Sequence, residues 1–322
     1  MKRKSISYAK WGYIFLIPFF LVYAVFSLAP LIQTFYYSFI DYSVNTGAVA
    51  SVRNPVPAAD NVVNNGFCGF KNYSSVIGNG GIFTESLINT MILWLIGFIP
   101  QIIFSLLLAV WFTDIRLKLK AQGFFKTVIY LPNVIMASAL SLLFYSLFTQ
   151  GGAMYELIYN ITGNEQSWLN TAGGSRVVVG FINFMMWYGN TTILLMAAIM
   201  GIDTSLYEAA QIDGANPSQT FWQITIPLIK PILAYVLVTS MIGGLQMYDV
   251  PYIIGGKAGG ANGKLMTVVS QIQQGKNSAV GNVAALSVLV FIVSAILGFI
   301  TLKVMDDKSV KTRYNKKKKK KA

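Results

Sequence analysis

Long apolar segments constrain this chain more than any other feature of its sequence. The hydrocarbon core of a bilayer, about 30 Å thick, requires roughly 20 apolar residues of helix. The first apolar segment follows Lys2-Arg3-Lys4, as in a signal peptide, but it is too long and lacks a small-x-small cleavage site, which favours an uncleaved span. Six segments reach the required length and predict an all-α integral membrane protein with six transmembrane helices, at about 12–33, 88–113, 124–148, 177–200, 226–247 and 283–305.

The distribution of basic residues predicts the orientation of these spans, because cytoplasmic loops of membrane proteins are enriched in lysine and arginine. With both termini cytoplasmic, nineteen of the 25 basic residues lie inside and the other six lie outside. This orientation makes residues 1–11 a cytoplasmic N-terminus, 34–87 an external loop and 306–322 a basic cytoplasmic tail. The lysine run of the tail is either a solvated charge run or a surface that attracts anionic membrane lipid.

Residue types that carry most chemistry are scarce in this chain. It has no histidine and one cysteine, Cys68, which removes the commonest metal ligand and excludes an intramolecular disulfide. The glycine-rich stretch 255–264 lacks the glycine and hydroxyl positions of a phosphate-binding loop, and no nucleic-acid pattern accompanies the basic tail. We therefore predict a chain that is not an enzyme, with no catalytic residue, metal site, nucleic-acid partner or ATPase site of its own.

A polar stretch between two apolar segments, 206–227, has the pattern of two short helices joined by a tight turn. Small and apolar residues recur at helical spacing in its first half. Gly214 is the expected stop, since glycine tolerates the left-handed conformation found after many helices. Asn216 is the expected cap of the second helix, with a proline after it and Gln219 three residues on. Between two membrane spans, such a helix pair offers a surface for a partner outside the bilayer.

Three segments of this stretch form one pattern: Glu208-Ala209-Ala210, Asp213-Gly214-Ala215 and Ile224-Thr225-Ile226-Pro227. The pattern resembles the cytoplasmic EAA loop of binding-protein-dependent ABC importer permeases, of the maltose and glycerol-phosphate type. Ile226 stands where that family has leucine. The resemblance covers about residues 85–305 and implies a type I (MetI-like) importer permease core at 88–305, with its EAA loop at 201–226. It also implies that the residues coupling the chain to an ATPase are Glu208, Ala209, Ala210, Asp213, Gly214 and Pro227.

The same resemblance implies a multi-pass permease subunit of a bacterial cytoplasmic membrane that imports a carbohydrate, either a sugar or an oligosaccharide. Its implied partners are a second homologous permease, two ABC ATPase subunits and an external solute-binding protein. ATP and magnesium would be bound by the partner ATPase, so this chain needs no cofactor. The small side chains of Ala209 and Ala210 would let the loop helix seat in a groove of the ATPase.

Polar residues within apolar spans are costly, and they therefore indicate function or packing. Two spans contain such residues at i, i+4 and i+7, which is one face of a helix. They are Asn183, Trp187 and Asn190 in the fourth span, and Thr239, Gly243 and Gln246 in the fifth. Amides and flat aromatic faces suit a neutral, hydroxyl-rich ligand, and in the resembled family these two spans line the translocation pathway. Alternatively, the two stripes only join helices, as small and polar side chains commonly do.

Other functional classes remain open on the residues alone. A stand-alone secondary carrier or channel would need a titratable or ion-coordinating group within a span, and no acidic residue lies deep in any of the six. A membrane scaffold would not need the 206–227 stretch. The external loop also leaves two alternatives: residues 67–73 pack as a small cap, or the loop is a plain connector.

Overall fold

The computed structural model describes residues 9–44, 62–78, 81–114, 121–275 and 279–305. The predicted basic tail, 306–322, lies outside these ranges, as does most of the predicted N-terminal segment. Within them the chain is almost entirely helical, with one pair of antiparallel strands, β1 (Ile40–Val44) and β2 (Val62–Phe67).

The helices are numbered in chain order. They are α1 Ala9–Tyr23, α2 Ala29–Ser38, α3 Lys71–Ile77, α4 Ile82–Thr113, α5 Gln122–Val134, α6 Ala137–Phe148, α7 Ala153–Thr162, α8 Ala172–Met200, α9 Thr204–Ile212, α10 Pro217–Thr220, α11 Ile226–Leu245, α12 Asp249–Gly255, α13 Val268–Gly275 and α14 Val280–Met305. Short π-helical turns join α1 to α2 and α10 to α11, at Ala24–Leu28 and Phe221–Thr225.

Five of the described helical segments are long and apolar enough to cross a membrane: Trp11–Ser38, Ile82–Thr113, Ala172–Met200, Pro217–Leu245 and Val280–Thr301. A bent pair that starts with α5 makes six if it counts as one span. The predicted class, a helical multi-pass membrane protein, is confirmed. Several helices begin before the apolar segment they contain, because backbone hydrogen bonding continues into polar residues outside the bilayer.

The segment predicted as the third span, 124–148, is not one helix. An extended break separates α5 from α6, and the helical segments on its two sides are bent by 88°. Pro132 removes a backbone donor near the end of α5. The Asn133 side chain donates to the Met186 carbonyl of α8 at 2.9 Å. The proline weakens the helix end, and the hydrogen bond to α8 holds it in place.

One compact unit contains the described residues between 84 and 271 together with residues 292–305. Its apolar core has two clusters, both of which include residues of α8. Leu93 of α4 and Ile182 of α8 are fully buried in the first, and Leu195 of α8 and Ile229 of α11 are buried in the second. The helices of this unit therefore pack around α8.

A buried hydrogen-bond network fastens the glycine-rich stretch to α4 and α8. Asn89 of α4 is 2% exposed and donates to the carbonyls of Gly263 at 3.2 Å and Met266 at 3.4 Å. Its Oδ1 accepts a hydrogen bond from Arg176 Nη2 of α8 at 2.6 Å. One asparagine thus links two helices and a loop.

The other compact unit contains the described residues up to Phe83 together with those between Ile272 and Phe291. The β1–β2 pair and α3 lie within the predicted external loop. Asn72 of α3 is 6% exposed and donates to the carbonyls of Ser38 and Ile40 at 3.0 and 2.9 Å. The sequence left two alternatives for this loop, a packed cap and a plain connector. The part of the loop that the structure describes is packed.

Candidate functional site

Two short helices, α9 and α10, form the predicted EAA loop, and a side-chain cap starts each of them. The Asp203 carboxylate accepts the Ser205 N–H at 3.0 Å, and hydrogen bonding to Ser205 lowers the pKa of Asp203. Asn216 begins α10 with the predicted capping box: its Oδ1 accepts the Gln219 N–H at 2.8 Å, and Gln219 Oε1 accepts the Asn216 N–H at 2.9 Å. These oxygens satisfy donors that the start of a helix leaves free.

The turn between the two helices depends on Gly214. Its N–H donates to the Gln211 carbonyl at 3.1 Å, and the Ala215 N–H donates to the Ala210 carbonyl at 2.9 Å. This pair of bonds is the Schellman arrangement, in which one residue past the helix is left-handed. Gly214 has φ 74°, so it is the helix stop that the sequence predicts.

The second loop helix continues into α11 without a break. The π turn Phe221–Thr225 joins them, and the Ile226 N–H donates to the Phe221 carbonyl, five residues back. Pro227 follows and has no N–H, so the ordinary bond to the carbonyl four residues earlier cannot form there. The 29-residue apolar helix from Pro217 to Leu245 therefore extends directly from the predicted coupling loop into the membrane.

The two faces of α9 differ in exposure. Glu208 and Ala209 are exposed, as is Asp213 after the helix, whereas Ala210 is 8% exposed. Residues three apart on a helix lie on the same side, so Ala210 shares its inner face with half-buried Tyr207. Ala210 therefore packs within this chain, in contrast to the expectation that both alanines face a partner.

A cavity of about 460 Å³ lies between α4, α8 and α11. The six residues predicted for the substrate pathway all line this cavity: Asn183, Trp187 and Asn190 on α8, and Thr239, Gly243 and Gln246 on α11 and just after it. The spacing i, i+4, i+7 places each triplet on one side of its helix. The packing of α11 against α8 then brings the two stripes to a common space.

A third stripe, which the sequence analysis did not identify, forms another wall of the cavity. Trp94, Phe98 and Gln101 of α4 line it at the same i, i+4, i+7 spacing. The rings of Trp94 and Phe98 are stacked, with centroids 5.1 Å apart and planes 17° apart. Trp94 Nε1 donates to Ser240 Oγ of α11 at 3.1 Å, which fixes the indole ring. The spacing alone could have indicated this stripe.

Hydrogen bonds show which polar residues of the cavity join helices. Gln101 Nε2 donates to Thr191 Oγ1 at 2.8 Å and links α4 to α8. Asn183 Nδ2 donates to the Val179 carbonyl in its own helix at 2.9 Å and to Met247 Sδ, just after α11, at 3.4 Å. Asn190 and Gln246 are exposed, and their side chains have no hydrogen-bond partner among the described residues. The amides of these two residues are therefore free to bind a ligand.

The described lining of the cavity is nearly uncharged. Asp249 is its single ionisable carboxylate, and it lies exposed in the first turn of α12, where a negative charge is favourable. The remaining lining consists of amide, hydroxyl, aromatic and aliphatic groups. Such a surface offers hydrogen-bond donors and acceptors together with flat apolar faces, which suits a neutral polar molecule.

This fold and site define a membrane transport subunit: apolar spans enclose a polar cavity, and a helical loop outside the membrane continues into one of its walls. Residues 101–310, which are 210 of the 322, match the family described as binding-protein-dependent transport system inner membrane component. The chain belongs to this family. It is a multi-pass inner-membrane permease of a binding-protein-dependent ABC importer, so the alternative of a stand-alone carrier is excluded.

Relatives in this family carry names of sugar transporters. The chain is 31% identical over 257 residues to the lactose transport system permease protein LacF of Rhizobium radiobacter, with 79% of each chain covered. It is 28% identical over 295 residues to the arabinooligosaccharides transport system permease protein AraP of Bacillus subtilis, covering 91% of this chain and 87% of AraP.

The fold is also similar to that of a solved transporter. A chain in the crystal structure of a bacterial alginate ABC transporter, in complex with an alginate pentasaccharide-bound periplasmic protein, matches with a TM-score of 0.70. The match covers 91% of this chain and 93% of that chain, at 19% sequence identity. At this identity the likeness establishes the fold and no more.

Proposed function

We propose that this permease imports a neutral sugar or oligosaccharide and that the cavity between α4, α8 and α11 is its passage. The observation that carries the proposal is the meeting of polar stripes from separate helices around one nearly uncharged space. The sugars in the names of the relatives, lactose and arabinooligosaccharides, support a carbohydrate substrate.

The free amides are the groups with which the cavity would select a sugar. Asn190 and Gln246 each present a donor and an acceptor, so each can pair with two neighbouring hydroxyls. Trp94, Phe98 and Trp187 supply aromatic faces for the apolar side of a sugar ring. A charged ligand would find one exposed carboxylate and no basic side chain in the described lining.

The exposed face of α9 is the proposed contact with an ATPase. Glu208 can accept a charge-assisted hydrogen bond there, and Ala209 leaves room for close approach. Ala210, Asp213, Gly214 and Pro227 would act by shaping and aiming the loop. In this proposal two ATPase subunits bind ATP and magnesium. Their closure draws the loops of this chain and a second, homologous permease together, and opens the passage to an external solute-binding protein.

The test of the passage is uptake by the complete importer in proteoliposomes, with radiolabelled lactose, maltose and an arabino-oligosaccharide as probes. Asn190→Leu and Gln246→Leu should each raise KM about 5- to 150-fold, because the loss of one or two hydrogen bonds costs about 1–3 kcal/mol. Asn160→Leu is the matched control, since Asn160 is exposed on α7 and does not line the cavity.

Two results would contradict the proposal in different ways. Unchanged KM in both variants would mean that the cavity is not the passage. Wild-type importer that moves none of the three sugars, while hydrolysing ATP in the presence of its binding protein, would refute a carbohydrate substrate of this kind.

A further inference from the structure

A chain of hydrogen bonds connects the first loop helix to the base of α11. Tyr207 of α9 and Thr225 of the π turn have their hydroxyl oxygens 3.1 Å apart. Thr225 Oγ1 also lies 3.4 Å from the Thr220 carbonyl, in a weaker bond. A carbonyl can only accept, so the Thr225 hydroxyl donates to Thr220 and its oxygen accepts from the Tyr207 hydroxyl.

The Thr225 side of this contact is buried, and Tyr207 is half-buried. Thr225 is 5% exposed, Thr220 is 9% exposed and Ala210, one turn from Tyr207, is 8% exposed. The opposite face of α9 is open, with Ile212 87% exposed. A hydrogen bond in such a site does not exchange readily with water, so it holds its two elements together more effectively than a surface bond would.

The π turn is the place where the helix from Pro217 to Leu245 can change direction. Its bonds run five residues back instead of four, and Pro227 cannot supply the ordinary donor. Such turns are rare and are frequent at functional sites. Thr225, the last residue of the turn, is the residue to which Tyr207 is bonded. Beyond it, α11 carries Tyr235, Thr239 and Gly243 into the cavity.

We infer that Tyr207 is a positioning residue for transport: through Thr225 it makes α9 and the base of α11 move as one body, across a π turn that would otherwise bend. A displacement of the loop then reaches the cavity wall instead of being absorbed in the turn. The inference rests on the proposed coupling role of the loop, and it adds the element that carries the displacement onward.

The direct test measures whether the two helices move together. Spin labels on cysteines introduced at Gln211 of α9 and Leu228 of α11, both exposed, report the separation of these helices in the complete importer with Cys68→Ser. With Tyr207 present, adding ATP and magnesium should leave this distance distribution unchanged. With Tyr207→Phe, the same addition should shift or broaden it. This readout does not depend on the identity of the transported sugar.

The functional test compares transport with hydrolysis. Tyr207→Phe should retain the ATPase subunits and their hydrolysis rate while transported sugar per ATP falls about five-fold, the equivalent of one hydrogen bond worth about 1 kcal/mol. Thr225→Val should do the same, and the double variant should be no worse than either. Tyr130→Phe is the control, because Tyr130 has no hydroxyl partner in the described chain.

The outcomes separate this inference from the proposed function. If Tyr207→Phe left the distance between the spin labels and the sugar transported per ATP unaltered, this inference would be wrong, and the proposed function would stand. Loss of the ATPase from Tyr207→Phe would also overturn it, because it would show a merely structural role. An ATPase that remains coupled when the Gly214 turn is destroyed would instead refute the coupling role of the loop.

Discussion

Replacing Gly214 with valine tests the turn that aims the coupling loop. Gly214 has φ 74°, a conformation that costs a β-branched residue about 1–3 kcal/mol. No atom lies within 4 Å of the position that its Cβ would occupy, so the penalty comes from the backbone and not from a collision. A return to negative φ would relieve it but would break the bonds from Gly214 to Gln211 and from Ala215 to Ala210.

The two ways of accommodating valine are close in energy. Each lost backbone hydrogen bond costs about 1 kcal/mol, so breaking both bonds costs about as much as the backbone strain that a return to negative φ would relieve. With nine residues, α9 is too short to keep its direction without this turn. Gly214 precedes the membrane segment that starts at Pro217, so the spans should still insert. We therefore expect transport to be abolished and the ATPase to dissociate from an intact permease.

The assay is co-purification of the ATPase with the permease, together with substrate-stimulated ATP hydrolysis in reconstituted membranes. Gly214→Asn is the matched control, because asparagine adopts the left-handed conformation far more readily than valine, and it should retain most of both activities. If Gly214→Val kept the ATPase bound and its hydrolysis coupled, the loop formed by α9 and α10 would not be the coupling element.

Two further predictions concern orientation and stability. Single cysteines introduced at Gly163 and Ser218, in a Cys68→Ser background, should differ in labelling: an impermeant reagent added outside should react only at Gly163. Labelling at Ser218 in intact cells would show that the predicted orientation is wrong. Asn89→Leu removes three hydrogen bonds at a site that is 2% exposed, and it should destabilise the protein by about 3 kcal/mol. The measurement is the denaturation midpoint in detergent, which should fall for Asn89→Leu and not for the control Asn160→Leu. An unaltered midpoint for Asn89→Leu would show that the network is dispensable.

The sequence determined those features that depend on neighbours along the chain. Spans were predictable because roughly 20 consecutive apolar residues suffice to cross a bilayer. The capping box at Asn216 and the stop at Gly214 were predictable because each involves only a few residues on either side. Helical spacing also determined which polar residues share a face, as for Asn183, Trp187 and Asn190. The family was recognisable from the same local pattern around Glu208.

Only the tertiary structure decided which faces meet. The wall that contains Trp94 comes from α4, and its approach to α8 and α11 depends on packing between segments distant in sequence. The break after α5 depends on a bond from Asn133 to another helix, and the inward position of Ala210 depends on what lies beneath α9. Tyr207 and Thr225 are brought together by a turn and a second helix, and neither side chain by itself indicates the other. Such contacts follow from the free energy of the whole packed unit, so a pattern read along one segment could not reveal them.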